Sequence, residues 1–413
     1  MSVIRPGSVY TIQDGDTPES LAARAYGDST KSTLILQGNQ IRFVAGNAIT
    51  VPVDPDDVRL RTAILQDAAL VQNDFNLVVD GLRIPVVAGR VNRSLDTAAD
   101  AWSATVAWRP GENESVDSRL RPFSYGRASV YLGDTLAVNG VLYRVETLLD
   151  GAGSSKTLTG YSFTADAVDS TVRPPYERRN VRLEDVAAAL VAPIGVKAEF
   201  DTDTGGVFER VTATKTETIF SHLRKLAAQR AVLVSNTPRG DMLFTRAATS
   251  GAPVGTLREG DSFVLSWAAD FDGRKRYSAY RISGQTPLSN TVVGISTDTN
   301  VPRTRFVTKD ADESSLGNIQ RAADWERSKT VASALSIRLP VAGWLAPNGS
   351  LWSPNTLVTV VSPTLDLTNG FTFLIKGVEF LFSNEGSTAE LSLVPPQVYT
   401  GEEIQDPWQL AGS

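Results

Sequence analysis

From Phe75 onward, apolar and polar residues alternate with a period of two. Phe75, Leu77 and Val79 lead into Asp80-Gly81, and Leu82, Ile84 and Val86 lead out, which predicts a β-hairpin. Trp102, Ala104, Val106 and Trp108 alternate again, so most of each indole is expected to be buried. In "DTLAVNGVLYRVE" the Asn139-Gly140 pair separates Leu136 and Val138 from Leu142 and Val145, predicting a second hairpin. "KTLTGYSFTADAVDS" closes this block near Val172. Short strands with turns at close spacing read as a closed or nearly closed antiparallel barrel over 74–172.

The period then changes. "PPYERR" is a proline and charge break. Leu183, Val186, Ala187 and Leu190 follow at helical spacing, with Pro193 as the stop. A strand from Val196 to Phe200, a helix in "TETIFSHLRKLAAQR", and strands near Ala231–Ser235 and Met242–Thr245 make 173–256 an α+β region. Alternation returns in "SFVLSWAADF" and "YSAYRISGQ". A loop-rich stretch, Thr286 to Arg305, precedes a helix over 313–335. "GFTFLIKGVEFLF" and "AELSLV" complete a second β-rich block over 257–400, with Asn369-Gly370 as another hairpin-type turn and 401–413 as a tail. No internal sequence repeat relates the two blocks.

The opening stretch is different in kind. "VYTIQDGDTPESLAARAYGD" gives a strand, a Gly-Asp turn, a polar helix start at Asp16 and Thr17, Pro18 in the first turn and a glycine stop at Gly27. Asn39 and "FVAGNAITVP" continue the pattern. Residues 8–53 resemble a LysM module, a small βααβ fold, with Pro18 standing where many members carry leucine. The resemblance implies a shallow groove bounded by Gly15, Asp16 and Thr17 on one side and Asn39, Ile41 and Arg42 on the other. LysM modules bind N-acetylglucosamine-containing glycans. No tryptophan lies near this groove to stack on sugar. Residues 54–73, beginning "DPDDVRLRTAIL", fit either a capped helix or a partly ordered linker.

Composition narrows the chemistry. With no cysteine and one histidine, His222, a cysteine-histidine peptidase is impossible and a zinc peptidase is disfavoured. Two carboxylates suffice for a glycosidase, so counting acids excludes nothing there, although no acidic pair stands out in a suitable helical context. His222 flanks the stripe of Ile219, Phe220, Leu223, Leu226 and Ala227, which reads as a surface or boundary position. "DTDTGG" lacks the later ligands of a calcium loop and reads as a turn. No catalytic residue, cofactor or metal site is expected. A net charge of -6 disfavours tight binding to a nucleic-acid backbone. No apolar run is long enough to span a membrane, and "MSVIRPGSVY" lacks the apolar core of a signal peptide. A soluble protein, assembled in a host cytoplasm without membrane insertion, is the expectation.

Several stretches downstream share one family's order. "GRVNRSLDTAADAW", "TETIFSHLRKLAAQRAVLV" with "RGDMLFTR", "RYSAYRISGQ", "RAADWE" and "GWLAPNGSLWSPNTLVTV" together resemble the baseplate hub protein of contractile-tailed, Mu-like phages. The motif residues are Trp325, Glu326, Gly343, Trp344, Gly349, Leu351, Trp352, Pro354 and Asn355. The bland reading of Trp344 and Trp352 is core and hairpin packing. The resemblance implies a mainly β, α+β chain with two antiparallel barrels flanking the middle region. It further implies a homotrimeric ring in the virion that joins a sixfold tail tube to a trimeric spike. Wedge or sheath proteins are neighbours, peptidoglycan is a possible ligand, and DNA is only a transient cargo. The alternative is a LysM-bearing tail protein that binds peptidoglycan and assists local wall penetration.

Overall fold

The computed structural model describes residues 9–26, 29–38, 48–50, 74–109, 111, 113–150, 153–285, 291–311 and 319–400. Two units divide the chain, Met1–Asp74 and Phe75–Ser413. In the first, β1 (Val9–Thr11) pairs antiparallel with β2 (Ala48–Thr50), and α1 (Pro18–Tyr26) and α2 (Ser32–Gly38) lie between them in sequence. Ile12, Leu21, Ala22 and Ile35 are its buried core. Thr17 and Ser20 cap α1 reciprocally: Ser20 N–H donates to Thr17 Oγ1 (3.1 Å) and Thr17 N–H to Ser20 Oγ (2.9 Å). The groove positions Asn39, Ile41 and Arg42, the 54–73 segment and the 401–413 tail lie outside the described residues.

The second unit is mainly β. Its first lobe holds β3 (Phe75–Val79), β4 (Leu82–Ile84), β5 (Ala88–Ser94), β6 (Ala101–Ala107), β7 (Arg127–Leu132), β8 (Thr135–Asp150) and β9 (Gly153–Ser162), with α3 (Glu114–Arg119) between β6 and β7. A middle region follows: α4 (Ala165–Asp169), β10 (Glu177–Val181), α5 (Leu183–Val191), β11 (Ala198–Phe200), β12 (Phe208–Thr212), α6 (Ile219–Ala228), β13 (Leu233–Asn236) and β14 (Met242–Thr245). It has its own apolar core around Val186, Leu223, Met242 and Phe244. The second lobe comprises β15 (Thr256–Arg258), β16 (Ala268–Phe271), β20 (Leu335–Ala342), β21 (Leu357–Ser362), β22 (Leu367–Ser383) and β23 (Gly386–Val394). A separate three-stranded sheet of β17 (Ala279–Gln285), β18 (Thr291–Thr297) and β19 (Phe306–Asp310) packs on α7 (Ile319–Ala334).

The two lobes are joined edge to edge. They form one 13-stranded sheet in the order β16-β20-β23-β22-β5-β6-β9-β8-β7-β3-β4, with β21 on β22 and β15 on β21. The joint is the antiparallel pair β5–β22, running from Gly89↔Phe382 to Ser94↔Gly377. One apolar core runs under both lobes, from Leu77 and Trp102 to Trp344 and Phe380. At the joint, the Phe75 and Phe382 rings stack at 6.0 Å over Gly89, where an added Cβ would lie 2.6 Å from the Phe75 ring. Not all pairing is antiparallel: β15–β21, β11–β14 and β17–β19 run parallel.

Within this sheet the lobes repeat each other. Hairpin β8–β9 pairs Asp150↔Gly153, Arg144↔Thr159 and Leu142↔Gly160, skipping Tyr143. Hairpin β22–β23 pairs Ser383↔Gly386, Gly377↔Ser392 and Ile375↔Leu393, skipping Lys376 in the same place. Both bulged residues reach a carboxylate, Tyr143 Oη donating to Asp166 (2.6 Å) and Lys376 Nζ lying 3.1 Å from Asp96. On one flank, β7 and β21 each pair regularly up to Val130 and Val360 and then lose register. On the other, Trp108 N–H donates to Ser154 O as Gly343 N–H donates to Ser387 O. Outermost, Val87 N–H donates to Thr105 O as Leu265 N–H does to Pro340 O, which makes β16 the counterpart of β5. Bulges are register-specific features, so their coincidence defines two copies of one five-stranded unit, β5-β6-β9-β8-β7 and β16-β20-β23-β22-β21.

Asp80-Gly81 makes the expected turn, with φ of 46° and 78° at the two positions. The other two predicted turns are corrected. Asn139-Gly140 lies inside β8, and the chain reverses one turn earlier, between Leu132 and Thr135. Asn369-Gly370 lies inside β22, where Gly370 (φ 79°) sits in the irregular register opposite β21, and the real hairpin is at Asn384-Glu385. The stretch read as loop-rich, Thr286 to Arg305, contains β18, which pairs along β17. The "PPYERR" break runs into β10, paired with β12, neither of which the sequence suggested.

Gly140 therefore serves close approach rather than a turn. A Cβ there would stand 1.8 Å from the Tyr161 carbonyl oxygen on β9. Gly140→Ala is expected to cost at least about 1–3 kcal/mol, as overpacking against backbone cannot be relieved by a rotamer change. Urea unfolding followed by tryptophan fluorescence measures it, and an unchanged midpoint would contradict this role for Gly140.

Candidate functional site

Two polar clamps lock the middle region onto the sheet, a third polar cluster lies within that region, and one cavity opens at its border. Asn355 holds the first clamp. Its φ of 62° turns the chain into β21, and its N–H donates to Ile375 O (2.9 Å). Its amide spans to the end of the middle region, Oδ1 accepting from Ala248 N–H (2.8 Å) and Nδ2 donating to Arg246 O (2.9 Å). Asparagine tolerates the left-handed region and offers both a donor and an acceptor, so it suits this corner.

Asp100 centres the second. It is 2 % exposed and lies 3.1 Å from Arg93 Nε, itself 8 % exposed. With the Asn236 amide nitrogen turned toward Asp100 (3.0 Å), its oxygen accepts from Asp100 N–H (2.8 Å) and Ser162 Oγ (3.1 Å). Arg93 and Asp100 belong to the first lobe and Asn236 to β13, so the network ties the lobe to the middle region. Burial pushes the Asp100 carboxyl up to about 6, against the opposing pull of Arg93.

His222 belongs to the third. It is buried, not at the surface as its place beside the apolar stripe suggested, and its Nδ1 lies 3.2 Å from Glu217 Oε2. Burial lowers its pKa despite Glu217. Glu217 also accepts from Lys225 (2.9 Å) and Thr214 N–H (3.3 Å), so the pair fastens the 214–217 turn onto α6. These contacts are structural: His222 Nδ1 and both Glu217 carboxylate oxygens face neighbouring groups of the same region.

The family-motif residues divide into two groups. Trp344 and Trp352 are 0 % and 1 % exposed in the second-lobe core, as their packing reading requires, and Trp344 Nε1 donates to Leu381 O (3.2 Å). Gly343 (φ 77°) and Gly349 (φ 82°) bend the chain between them, Leu351 bridges Leu345, and Pro354 precedes Asn355. Trp102 is likewise buried, whereas Trp108 is half-buried, its Nε1 donating to Asp117 (2.5 Å) with Lys156 Nζ 3.9 Å above the ring. Trp325 and Glu326 sit apart on α7. Glu326 pairs with Lys309 of β19. Trp325 lines a 270 Å³ cavity with Leu95, Asp96, Arg224, Leu233 and Tyr399, where first lobe, middle region and chain end meet. In the N-terminal unit, Asp16 is engaged within its own turn. It accepts from Tyr10 Oη (2.7 Å), Gln13 N–H (2.9 Å) and Arg24 Nη1 (3.0 Å), and these bonds, the Gln13 one foremost, lower its pKa. Sequence reasoning missed Arg93, Asp100 and Asn236, because no spacing signals the contact of Asn236 with the distant Asp100.

Comparison with known proteins agrees with this architecture. Residues 164–246 match the family described as baseplate hub protein gp44-like, second domain, and residues 316–402 match the Mu phage baseplate assembly protein GpP, fourth domain. Baseplate hub protein gp44 of Escherichia phage Mu is 25% identical over 322 residues, spanning 74% of this chain and 83% of that one. The 43 kDa tail protein of prophage MuSo2 from Shewanella oneidensis is 26% identical, with a TM-score of 0.69 over 79% of this chain and 99% of that one. A tail protein from Neisseria meningitidis MC58 shares the fold at 17% identity, with a TM-score of 0.69 over 79% and 98% of the two chains. The chain is thus a homologue of phage baseplate hub and tail proteins, which are structural proteins and not enzymes.

The Asp100 network makes stability depend on pH in a set direction. The folded carboxyl is raised from 3.8 to about 6, so the folded state holds the proton more tightly than the unfolded chain. Its contribution, on the order of 3 kcal/mol, is full below pH 3.8 and is lost as pH rises through about 6. Asp100→Asn removes this titration while other groups cancel between the two proteins. The stability advantage of wild type over the variant should therefore shrink between pH 4 and pH 7 in chemical denaturation. An advantage that stays constant or grows would refute the raised carboxyl.

Proposed function

We propose that this chain is the structural hub of a contractile phage baseplate, and that three copies form a ring between tail tube and spike. The observation that carries the reading is the repeated five-stranded unit joined across β5–β22. One chain offers two quasi-equivalent surfaces, so three chains present six to a sixfold tube while keeping threefold symmetry for a trimeric spike. Such a ring closes through repeated heterologous contacts. Wedge or sheath proteins would border it, and DNA would pass through it as cargo.

The N-terminal unit docks a neighbouring tail protein in this reading, and does not act as a wall-binding module. The engagement of Asp16 with Tyr10, Gln13 and Arg24 favours this, since one of the polar groups expected on the groove rim is already satisfied within the turn. Light scattering on the full chain with its spike should give a hub mass of three times 44.4 kDa, about 133 kDa. The same protein should stay in solution when mixed with insoluble peptidoglycan. A monomeric or dimeric hub in the spike complex would refute the ring. Saturable sedimentation with peptidoglycan would restore the wall-binding alternative.

A further inference from the structure

One stretch of the first lobe's surface carries exposed aromatic side chains in a strained loop. Residues 121–125, between α3 and β7, are all exposed. Phe123 is 80 % and Tyr125 58 % exposed, with φ of 60° and 51°. Left-handed backbone is unfavourable for bulky side chains, and strain of this kind gathers where a function retains it. The base of the loop is fixed. Leu120 is buried, its N–H donates to Val116 O (2.9 Å), and its carbonyl accepts from Lys156 Nζ (3.2 Å). At the other end, a Cβ on Gly126 would stand 2.7 Å from Asp80 Oδ2, and Arg127 N–H donates to Asp80 Oδ1 (2.8 Å). The two rings are therefore held outward by a rigid frame. From Tyr125 the aromatic surface continues onto the sheet. Tyr143 packs edge to face with Tyr125 (6.2 Å between ring centres) and with Tyr161 (6.0 Å), which is 40 % exposed.

The charge beside these rings is negative. Tyr143 Oη donates to Asp166, and Asp169 at the end of α4 adds a second carboxylate. Burial, and then these two acids, push the Tyr143 phenol up. The neighbouring arginines are directed elsewhere. Arg121 Nε donates to Ser118 O (3.1 Å), Arg144 pairs with Glu146 (3.1 Å), and the Arg127 guanidinium lies over the Phe163 ring. Tyrosine faces are electron-rich, so rings and carboxylates together attract a cation and repel phosphate.

We propose that Phe123, Tyr125, Tyr143 and Tyr161 form a docking surface for a neighbouring protein, which lays an arginine- or lysine-bearing segment across the rings beside Asp166 and Asp169. Aromatic residues anchor such contacts, and arginine is enriched among their partners. The contact goes beyond the ring reading: it uses no second copy of this chain and holds for any number of copies.

Fluorescence anisotropy of a fluorescein-labelled hexa-arginine peptide, titrated with the full-length protein, tests the surface. Binding should saturate. Phe123→Asn with Tyr125→Asn leaves the net charge unchanged and suits the left-handed backbone, and it should weaken binding about tenfold. Asp169→Asn should weaken it about threefold. A labelled decaproline peptide should not bind. Phe123→Asn alone should leave the urea midpoint unchanged or raise it. Equal binding by wild type and the double variant would mean attraction to overall acidity, and would overturn the site, as would no binding at all. Decaproline binding that ignores Asp169 would overturn the cationic partner. A lower midpoint in Phe123→Asn would assign the ring to stability instead. A wild-type oligomer that dissociates in the double variant would reassign the loop to contact between copies.

Discussion

Everything in the larger unit depends on the pairing of β5 with β22. It joins Gly89–Ser94 to Gly377–Phe382 through backbone hydrogen bonds, across nearly the whole length of the unit. Such a contact closes a very long loop, and it forms only because the strands on both sides of it already share a core. Gly89 is part of the same solution, since the Phe75 ring, stacked on Phe382, occupies the space of a side chain there. The outcome is a rigid connection between two lobes, in place of a hinge.

That connection explains the polar clamps. The middle region is inserted between β9 and β15, and its own core is distinct from the sheet's. Left to short connections alone it would be free to rotate. Asn355, gripping Arg246 and Ala248, holds its exit, and Asn236, gripping Asp100, holds its flank. Buried polar networks of this kind contribute orientation more than net stability, because desolvation offsets much of their attraction. The ring proposed above, with two surfaces per chain held at fixed angles, would use that rigidity.

The sequence revealed strands better than their ends. Alternation at Phe75, Leu77 and Val79 and at Trp102, Ala104 and Val106 was legible, because one buried face imposes period two. Turn chemistry was legible at Asp80-Gly81 and misleading at Asn139-Gly140. There the same dipeptide serves another purpose: glycine admits the Tyr161 carbonyl, and Asn139 bonds Ser129 (3.0 Å) and Arg239 (3.2 Å). The repeat itself was invisible. Its two copies share bulge positions and not residue identities, Tyr143 standing where Lys376 stands, so it emerges only from register. The motif tryptophans were found through resemblance, and their packing role through burial. Arg93 with Asp100, and Asn236 beside them, had no local signal at all.

Amide hydrogen exchange on the full-length protein tests the organising role of the joint most directly. Strands β5 and β22 are paired on both sides along Gly89–Asn92 and Gly377–Phe382, so their amides should exchange only with global unfolding, in the slowest class. In dilute protein, alternate amides along the outer edges of the sheet, such as those of 144–149, which pair on one side only among the described residues, should exchange far faster. Joint amides that exchange as fast as those edges would mean that the lobes separate readily, and would contradict the continuous sheet.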